Sequence, residues 1–283
     1  MLKYIKMDLY KLFKSKFFYV CMLVFLVLII FVIVDTKWAE REVLSDKSQI
    51  SIAEAEETHY ADDTFYTSGI GSEGFAIVEL GINLKNLVNA SYGSNIMVLM
   101  LLITVVIFIC NDFSSGYIKN TITIPRYKWY TNISKLVTAA VILMVQNLTA
   151  IIAYLWAIKY CFRSGVVGSF KGLIPYLAVE MVLYLGITAF FLLICDWTQS
   201  KALGISVSVF YACQLIGTMA VFILYKVFDL KKEKAMKMVI SVTQGNLMVG
   251  MSNTVLKESL VLGIASMFVY MTLADIIVCK RDY

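Results

Sequence analysis

The chain holds few residue types that could carry out catalysis or bind a metal. Its one histidine, His59, excludes the two-histidine zinc motif of metalloproteases. Its six cysteines form no C-x-x-C pair and so predict neither a zinc site nor a disulfide framework. No glycine-rich loop has the Walker A spacing that cradles phosphates, and residues 165–171 only approach it. We therefore expect no catalytic residue, no metal and no bound cofactor, and we expect the chain not to be an enzyme.

One acidic residue, Glu180, lies within an apolar stretch. An ionised carboxylate in the middle of a membrane-spanning helix costs about 2.5–3.5 kcal/mol on insertion scales. Such a group must therefore face protein or water, be paired, or be protonated. Three polar residues in other apolar stretches are candidate hydrogen-bond partners: Gln146, Asn147 and Gln214. The sequence leaves two roles open for these four residues, a polar contact between helices or a part of a translocation path.

Residues 111–126, with the sequence NDFSSGYIKNTITIPR, form the most distinctive polar segment. Ser114 or Ser115 can cap a short helix, and Gly116 permits a close approach of another backbone. Pro125 ends the segment before the next apolar stretch. A short, basic helix of this kind is suited to dock into the groove of a partner protein.

The overall composition indicates a membrane protein. Hydrophobic residues make up 60% of the 283 residues and charged residues 16%, against roughly 45–50% and roughly 25% in soluble domains. A spanning helix needs about 20 mostly apolar residues. Six blocks have this character: 17–34, 95–110, 136–158, 173–195, 202–225 and 259–279. We therefore predict an all-α integral membrane protein with six transmembrane helices.

The segments outside these blocks differ in character. Residues 1–16 are predicted to form an amphipathic interfacial helix, because the apolar residues lie on one arc and lysines lie opposite. Residues 35–94 hold eleven acidic and four basic residues and are predicted to be an acidic external segment. Residues 226–258 are predicted to be an external loop, with a re-entrant helix at about 239–251.

Charge sets the predicted orientation. Five lysines precede the first block and are opposed only by Asp8, whereas the acidic segment 35–94 follows it. The positive-inside rule then places the N-terminus in the cytoplasm. Six spans return the C-terminus to the same side and make 111–135 a cytoplasmic loop. The lysine-rich run 226–237 falls on the predicted outer side and is the exception to the rule.

The segment 111–126 resembles the cytoplasmic loop of ABC-2 permeases, the membrane subunits of ATP-binding-cassette exporters. The resemblance rests on an acidic residue, a Ser/Gly turn and a closing Pro-Arg, and it extends to the predicted order of spans and loops. The chain is most similar to small Gram-positive permeases of bacteriocin, lantibiotic or bacitracin resistance and immunity. The resemblance implies a multi-pass protein of the bacterial cytoplasmic membrane.

The resemblance also implies partners and a coupling site. A second permease copy would complete a homodimer, and two copies of a separate ATPase subunit would bind ATP and Mg, which this chain does not bind. Other expected partners are membrane lipid and an exported substrate such as an antimicrobial peptide or a lipid-like molecule, but not nucleic acid. The residues implied to contact the ATPase are Asp112, Phe113, Ser114, Ser115, Gly116, Tyr117, Ile118, Lys119, Asn120, Arg126 and Trp197.

A different function stays open beside the exporter. The chain could be a stand-alone immunity or sensor protein that pumps nothing and binds a peptide through the acidic segment 35–94. An ATPase that copurifies with the chain would favour the exporter. The sequence leaves the substrate open among cationic peptides, lipid-linked molecules and drugs.

Overall fold

The computed structural model describes residues 2–46, 82–114, 128–162, 167, 170, 172–228 and 231–280. Every regular element in these ranges is an α-helix, which confirms the all-α prediction for the described part of the chain. Most of the predicted external segment and the predicted coupling residues Ser115–Asn120 and Arg126 lie outside the described residues.

The helices follow the chain in a simple order. Helix bounds are α1 Leu2–Lys14, α2 Lys16–Asp46, α3 Leu84–Gly93, α4 Ile96–Ser114, α5 Lys128–Tyr160, α6 Leu173–Thr198, α7 Lys201–Ala212, α8 Leu215–Val227, α9 Lys232–Met238, α10 Ile240–Asn246 and α11 Asn253–Lys280.

Five of these helices, α2, α4, α5, α6 and α11, are long and apolar enough to cross a membrane. The pair α7 and α8 makes a sixth if the two helices together form one broken span. Their length and composition indicate a multi-pass membrane protein. The side of the membrane on which the termini lie stays a prediction.

Several helix ends differ from the predicted blocks. Helix α2 continues past residue 34 to Asp46, and α5 begins at Lys128, within the predicted loop 111–135. Both extensions are polar, so the apolar blocks alone could not indicate them. The predicted loop 226–258 contains the short helices α9 and α10.

The block 202–225 is not one continuous helix, because α7 and α8 meet at an angle of 70°. Gln214, between them, has a left-handed backbone conformation with φ 59°. Its side-chain amide donates to Asn95 Oδ1 at 3.3 Å and to the Ser241 carbonyl oxygen at 3.3 Å. These contacts hold the break against the start of α4 and against α10.

Helices α6 and α11 run parallel and make the most extensive helix–helix contact in the described part of the chain. Glycine makes their close approach possible. A β-carbon on Gly186 would lie 2.6 Å from Ser266 Oγ and 3.0 Å from the Gly263 carbonyl oxygen. Small residues at such crossings let helix backbones pack closely in a membrane, where the hydrophobic effect does not drive helices together.

We expect Gly186→Val to lower the free energy of unfolding by about 1–3 kcal/mol, because overpacking forces the two helices apart. Ala265→Val is the matched control, since Ala265 is on the exposed side of α11. Thermal unfolding in detergent micelles should show a lower midpoint for the first variant and little change for the second. Equal midpoints would contradict a tight α6–α11 contact.

Candidate functional site

A group of charged and polar side chains gathers where α1 packs beside the start of α5 and the ends of α4, α6 and α11. We call this group the Lys135 cluster. It consists of Asp8, Lys11, Asp112, Asn132, Ser134, Lys135, Asp196 and Asp275. Its members come from five helices, α1, α4, α5, α6 and α11.

Lys135 lies at the centre of the cluster and is only 2% exposed. Its ammonium group is 3.7 Å from Asp196 Oδ1, on the 1% exposed carboxylate of Asp196. The ammonium group also lies 5.1 Å from the centre of the Phe113 ring. A buried cation between a carboxylate and an aromatic face is compensated by both, since the ring face carries negative potential. Lys135 thereby holds α4, α5 and α6 together.

Helix α1 is attached to the cluster by two side-chain contacts. Ser134 Oγ donates to Asp8 Oδ2 at 2.5 Å, and the Lys11 ammonium group lies 3.3 Å from Asp112 Oδ1. Burial raises the pKa of Asp8 above its ordinary value of 3.8, and the neighbouring Asp112 adds to the rise, while the hydrogen bond from Ser134 opposes it. The N-terminal helix is therefore fixed to both α4 and α5.

Two further hydrogen bonds bring the remaining helices to the same end. Asn132 Nδ2 donates to Asp275 Oδ1 at 2.9 Å and so joins α5 to α11. Lys201 Nζ donates to Asn111 Oδ1 at 2.7 Å and so joins the start of α7 to α4. Together with the contacts above, the residues before and after 115–127 join six helices: α1, α4, α5, α6, α7 and α11.

Of the predicted coupling residues, Asp112 is a member of this cluster and Phe113 contacts the cluster through Lys135. Ser114 is the last residue of α4. Trp197 is 69% exposed and lies beside Asp196 in the last turn of α6. The remaining predicted coupling residues, Ser115–Asn120 and Arg126, lie outside the described residues.

A second polar group surrounds Glu180 toward the other end of the bundle. We call it the Glu180 cluster. Glu180 is 0% exposed, and four buried tyrosines lie near enough to feel the charge that an ionised carboxyl group would carry: Tyr92, Tyr176, Tyr184 and Tyr211. Tyr176 lies one helical turn before Glu180, and its hydroxyl makes no described hydrogen bond to the carboxyl group.

The predicted hydrogen-bond partners of Glu180 lie in other contacts. Asn147 Oδ1 accepts from the Tyr92 hydroxyl, and Gln214 bonds to Asn95 and Ser241 at the α7–α8 break. Gln146 is buried, and no described hydrogen bond reaches its Oε1 atom. None of the three makes a described hydrogen bond to Glu180.

The tyrosines were missed at the sequence level, although a local signal exists. Tyr176, Glu180 and Tyr184 are spaced four residues apart, and this spacing puts side chains on one helix face. Tyr92 comes from the distant helix α3, so its place beside that face depends on the tertiary fold. Within the described part of the chain, no group of three or more His, Cys, Asp or Glu side chains could hold a metal ion.

Comparison with protein-family models finds no family that matches the chain, and comparison with curated proteins finds no similar protein.

We expect Lys135→Met and Asp196→Asn each to lower the free energy of unfolding by about 3–5 kcal/mol, because either change leaves a buried group without its partner. The double variant should lose less than the two single losses combined. The exposed pair Lys237 and Glu258, 3.5 Å apart, is the control, and breaking it should change little. Additive losses in the Lys135–Asp196 thermal-unfolding cycle would contradict the coupling.

The raised pKa of Asp8 predicts a pH dependence. Below its ordinary pKa, Asp8 is protonated in both the folded and the unfolded chain, so its burial carries no ionisation penalty. As the pH rises through the raised pKa, the buried group ionises and its contribution to stability is lost. Asp8→Asn should therefore raise the unfolding midpoint more at about pH 7.5 than at about pH 4. The same effect at both pH values would contradict the shift.

Proposed function

We propose that the chain is the permease subunit of an ATP-binding-cassette exporter, working as a dimer with two separate ATPase subunits. The observation that carries the proposal is the Lys135 cluster. Asn111, Asp112 and Phe113 lie immediately before the segment 115–127, and Asn132, Ser134 and Lys135 follow it closely. Side chains on both sides of the segment thus contact other helices of the bundle.

This arrangement is suited to receive a mechanical input. A partner that displaces the end of α4 would also move the start of α5, because the Lys135 ammonium group lies against the Phe113 ring. Because Lys135 also contacts Asp196, the displacement would reach α6, and through Asn132 and Asp275 it would reach α11. Packed helices joined by ion pairs shift between discrete arrangements rather than deform gradually. ATP-driven closure of the ATPase subunits would supply the input and the change in helix packing would carry the substrate.

Trp197 supports the position of the partner surface. A large aromatic side chain that is 69% exposed, next to the buried charge of Asp196, fits the composition of a protein interface. We propose that Trp197 takes part in docking the ATPase subunit, as do the predicted coupling residues Asp112 and Phe113, in the cytoplasmic membrane of a bacterium. The substrate proposed for the exporter is a peptide or a lipid-like molecule.

We expect Trp197→Ala to reduce the amount of ATPase subunit that copurifies with the chain by about tenfold, because aromatic residues dominate the energy of such interfaces. Trp156→Ala is the matched control, since Trp156 is 58% exposed and lies near the opposite end of α5. Both variants should keep the wild-type unfolding midpoint and insert into the membrane.

Affinity purification from membranes of the native host, with quantitative mass spectrometry, gives the measurement. Equal recovery of an ATPase subunit with both variants would contradict the docking role of Trp197. If no ATP-binding-cassette subunit is recovered with the wild-type chain, the exporter proposal fails and the stand-alone immunity or sensor protein becomes the better hypothesis.

A further inference from the structure

Glu180 lies inside an enclosure of aromatic rings. Tyr176 and Tyr184 flank it on the same face of α6, one turn to each side. The Tyr92 ring makes edge contacts with both flanking tyrosines, at 5.7 Å from the Tyr176 ring centre and 5.5 Å from that of Tyr184. Tyr92 therefore bridges the two rings that flank Glu180, and the carboxyl group is 0% exposed.

The helices around this enclosure supply no positive charge in the described part of the chain. The titratable side chains that interact electrostatically with Glu180 or with its tyrosines are all tyrosines, and a tyrosine cannot carry a positive charge. They are Tyr92 of α3, Tyr154 of α5, Tyr176 and Tyr184 of α6, Tyr211 of α7 and Tyr270 of α11. The groups from α10 are the uncharged Ser241 and Gln244. No lysine or arginine among the described residues acts on the carboxyl group.

An ionised carboxylate at this position would be a buried charge without compensation. Such a charge is so unfavourable that the group takes its neutral form instead. The Tyr92 hydroxyl could donate to a carboxylate, but it already donates to Asn147 Oδ1. No described hydrogen bond reaches either oxygen of Glu180.

The surroundings suit a neutral carboxylic acid better. A protonated carboxyl group needs an acceptor for its O–H. In the Glu180 cluster, the hydroxyl oxygens of Tyr176 and Tyr211 are buried and accept no described hydrogen bond, and the same holds for Oε1 of Gln244, whose Nε2 contacts Tyr184. A proton needs no additional volume, so a neutral acid fits this fully buried position as it stands.

We propose that Glu180 is a proton-binding site, occupied in this closed arrangement of the bundle and emptied when the bundle opens to water.

The contacts of Gln244 indicate that α10 is the element that opens. Its amide donates to the Tyr92 carbonyl oxygen at 3.2 Å and to the Tyr184 hydroxyl at 3.5 Å, so α10 closes the enclosure. Because Gln214 also bonds to the Ser241 carbonyl oxygen, α10 is connected to the α7–α8 break. Loss of the proton would leave a charge that draws water under α10 and favours its separation from α6.

Infrared spectroscopy of the purified chain in lipid nanodiscs tests the proposal directly. A protonated carboxylic acid has a carbonyl stretch that a carboxylate lacks. We expect this band at neutral pH in the wild-type chain and its loss in Glu180→Gln. Glu258→Gln is the matched control, because Glu258 is an exposed glutamate in an ion pair with Lys237, and it should leave the band unchanged. A wild-type spectrum that Glu180→Gln does not change would overturn the proposal.

Stability and ion titration complete the experiment. Glutamine resembles the neutral acid in shape, so Glu180→Gln should keep the wild-type unfolding midpoint. A large fall in that midpoint, or failure to fold, would show that the carboxylate charge is needed and would overturn the proposal. Loss of the band on adding Na⁺ or K⁺ would assign the site to a metal cation and would also overturn it. No ATPase subunit takes part, so these results are independent of the exporter proposal.

Discussion

One end of the bundle depends on the interaction of the buried Lys135 ammonium group with Asp196 and Phe113. The ammonium group lies among apolar helices and is compensated by Asp196 at 3.7 Å and by the face of Phe113. A desolvated cation is tolerated only where its partners are held in place, so the positions of α4 and α6 relative to α5 are constrained by one side chain. The neighbouring contacts of α1 and α11 depend on the same frame, because Ser134 precedes Lys135 directly and Asn132 lies one turn earlier.

The rest of the bundle reflects a general requirement of membranes. Backbone N–H and C=O groups in the hydrocarbon region must form their hydrogen bonds within the protein. Helices meet this requirement without partners, and irregular backbone needs side chains or neighbouring helices to replace its missing bonds. At the break between α7 and α8, the backbone N–H groups of Cys213 and Gln214 still bond to carbonyl oxygens of α7, and the Gln214 side chain attaches the break to Asn95 and Ser241. The close contact between the parallel helices α6 and α11 requires a residue without a side chain at position 186, and Gly186 provides it.

The sequence predicted the long spans well because their signal is a local property, a run of apolar residues long enough to cross a bilayer. It did not predict the break at Gln214, because neither Gly nor Pro marks it and the stabilising partners come from residues 119 and 27 positions away. At the Lys135 cluster, Asp112 and Phe113 could be selected from a resemblance. Asp8 and Asp275 could not, since their roles arise only when the helix ends meet. The partners of Glu180 were sought among amides, whereas the structure surrounds it with tyrosines. The Tyr92 ring reaches the other rings only because α3 approaches α6, and the sequence does not show that approach.

Helix α6 connects the two polar centres. Glu180 and Asp196 lie on this one helix, sixteen positions apart, or about 24 Å along its axis. No proline lies between them, and the α6 residues between them pack against α4, α5 and α11. A continuous helix transmits displacement along its axis because its hydrogen bonds resist changes in length. A shift of α6 at Asp196 would therefore also move the face that carries Tyr176, Glu180 and Tyr184 past Tyr92. That face is held by the ring contacts with Tyr92 and by the hydrogen bonds of Gln244, so a shift of α6 would have to disturb both sets of contacts.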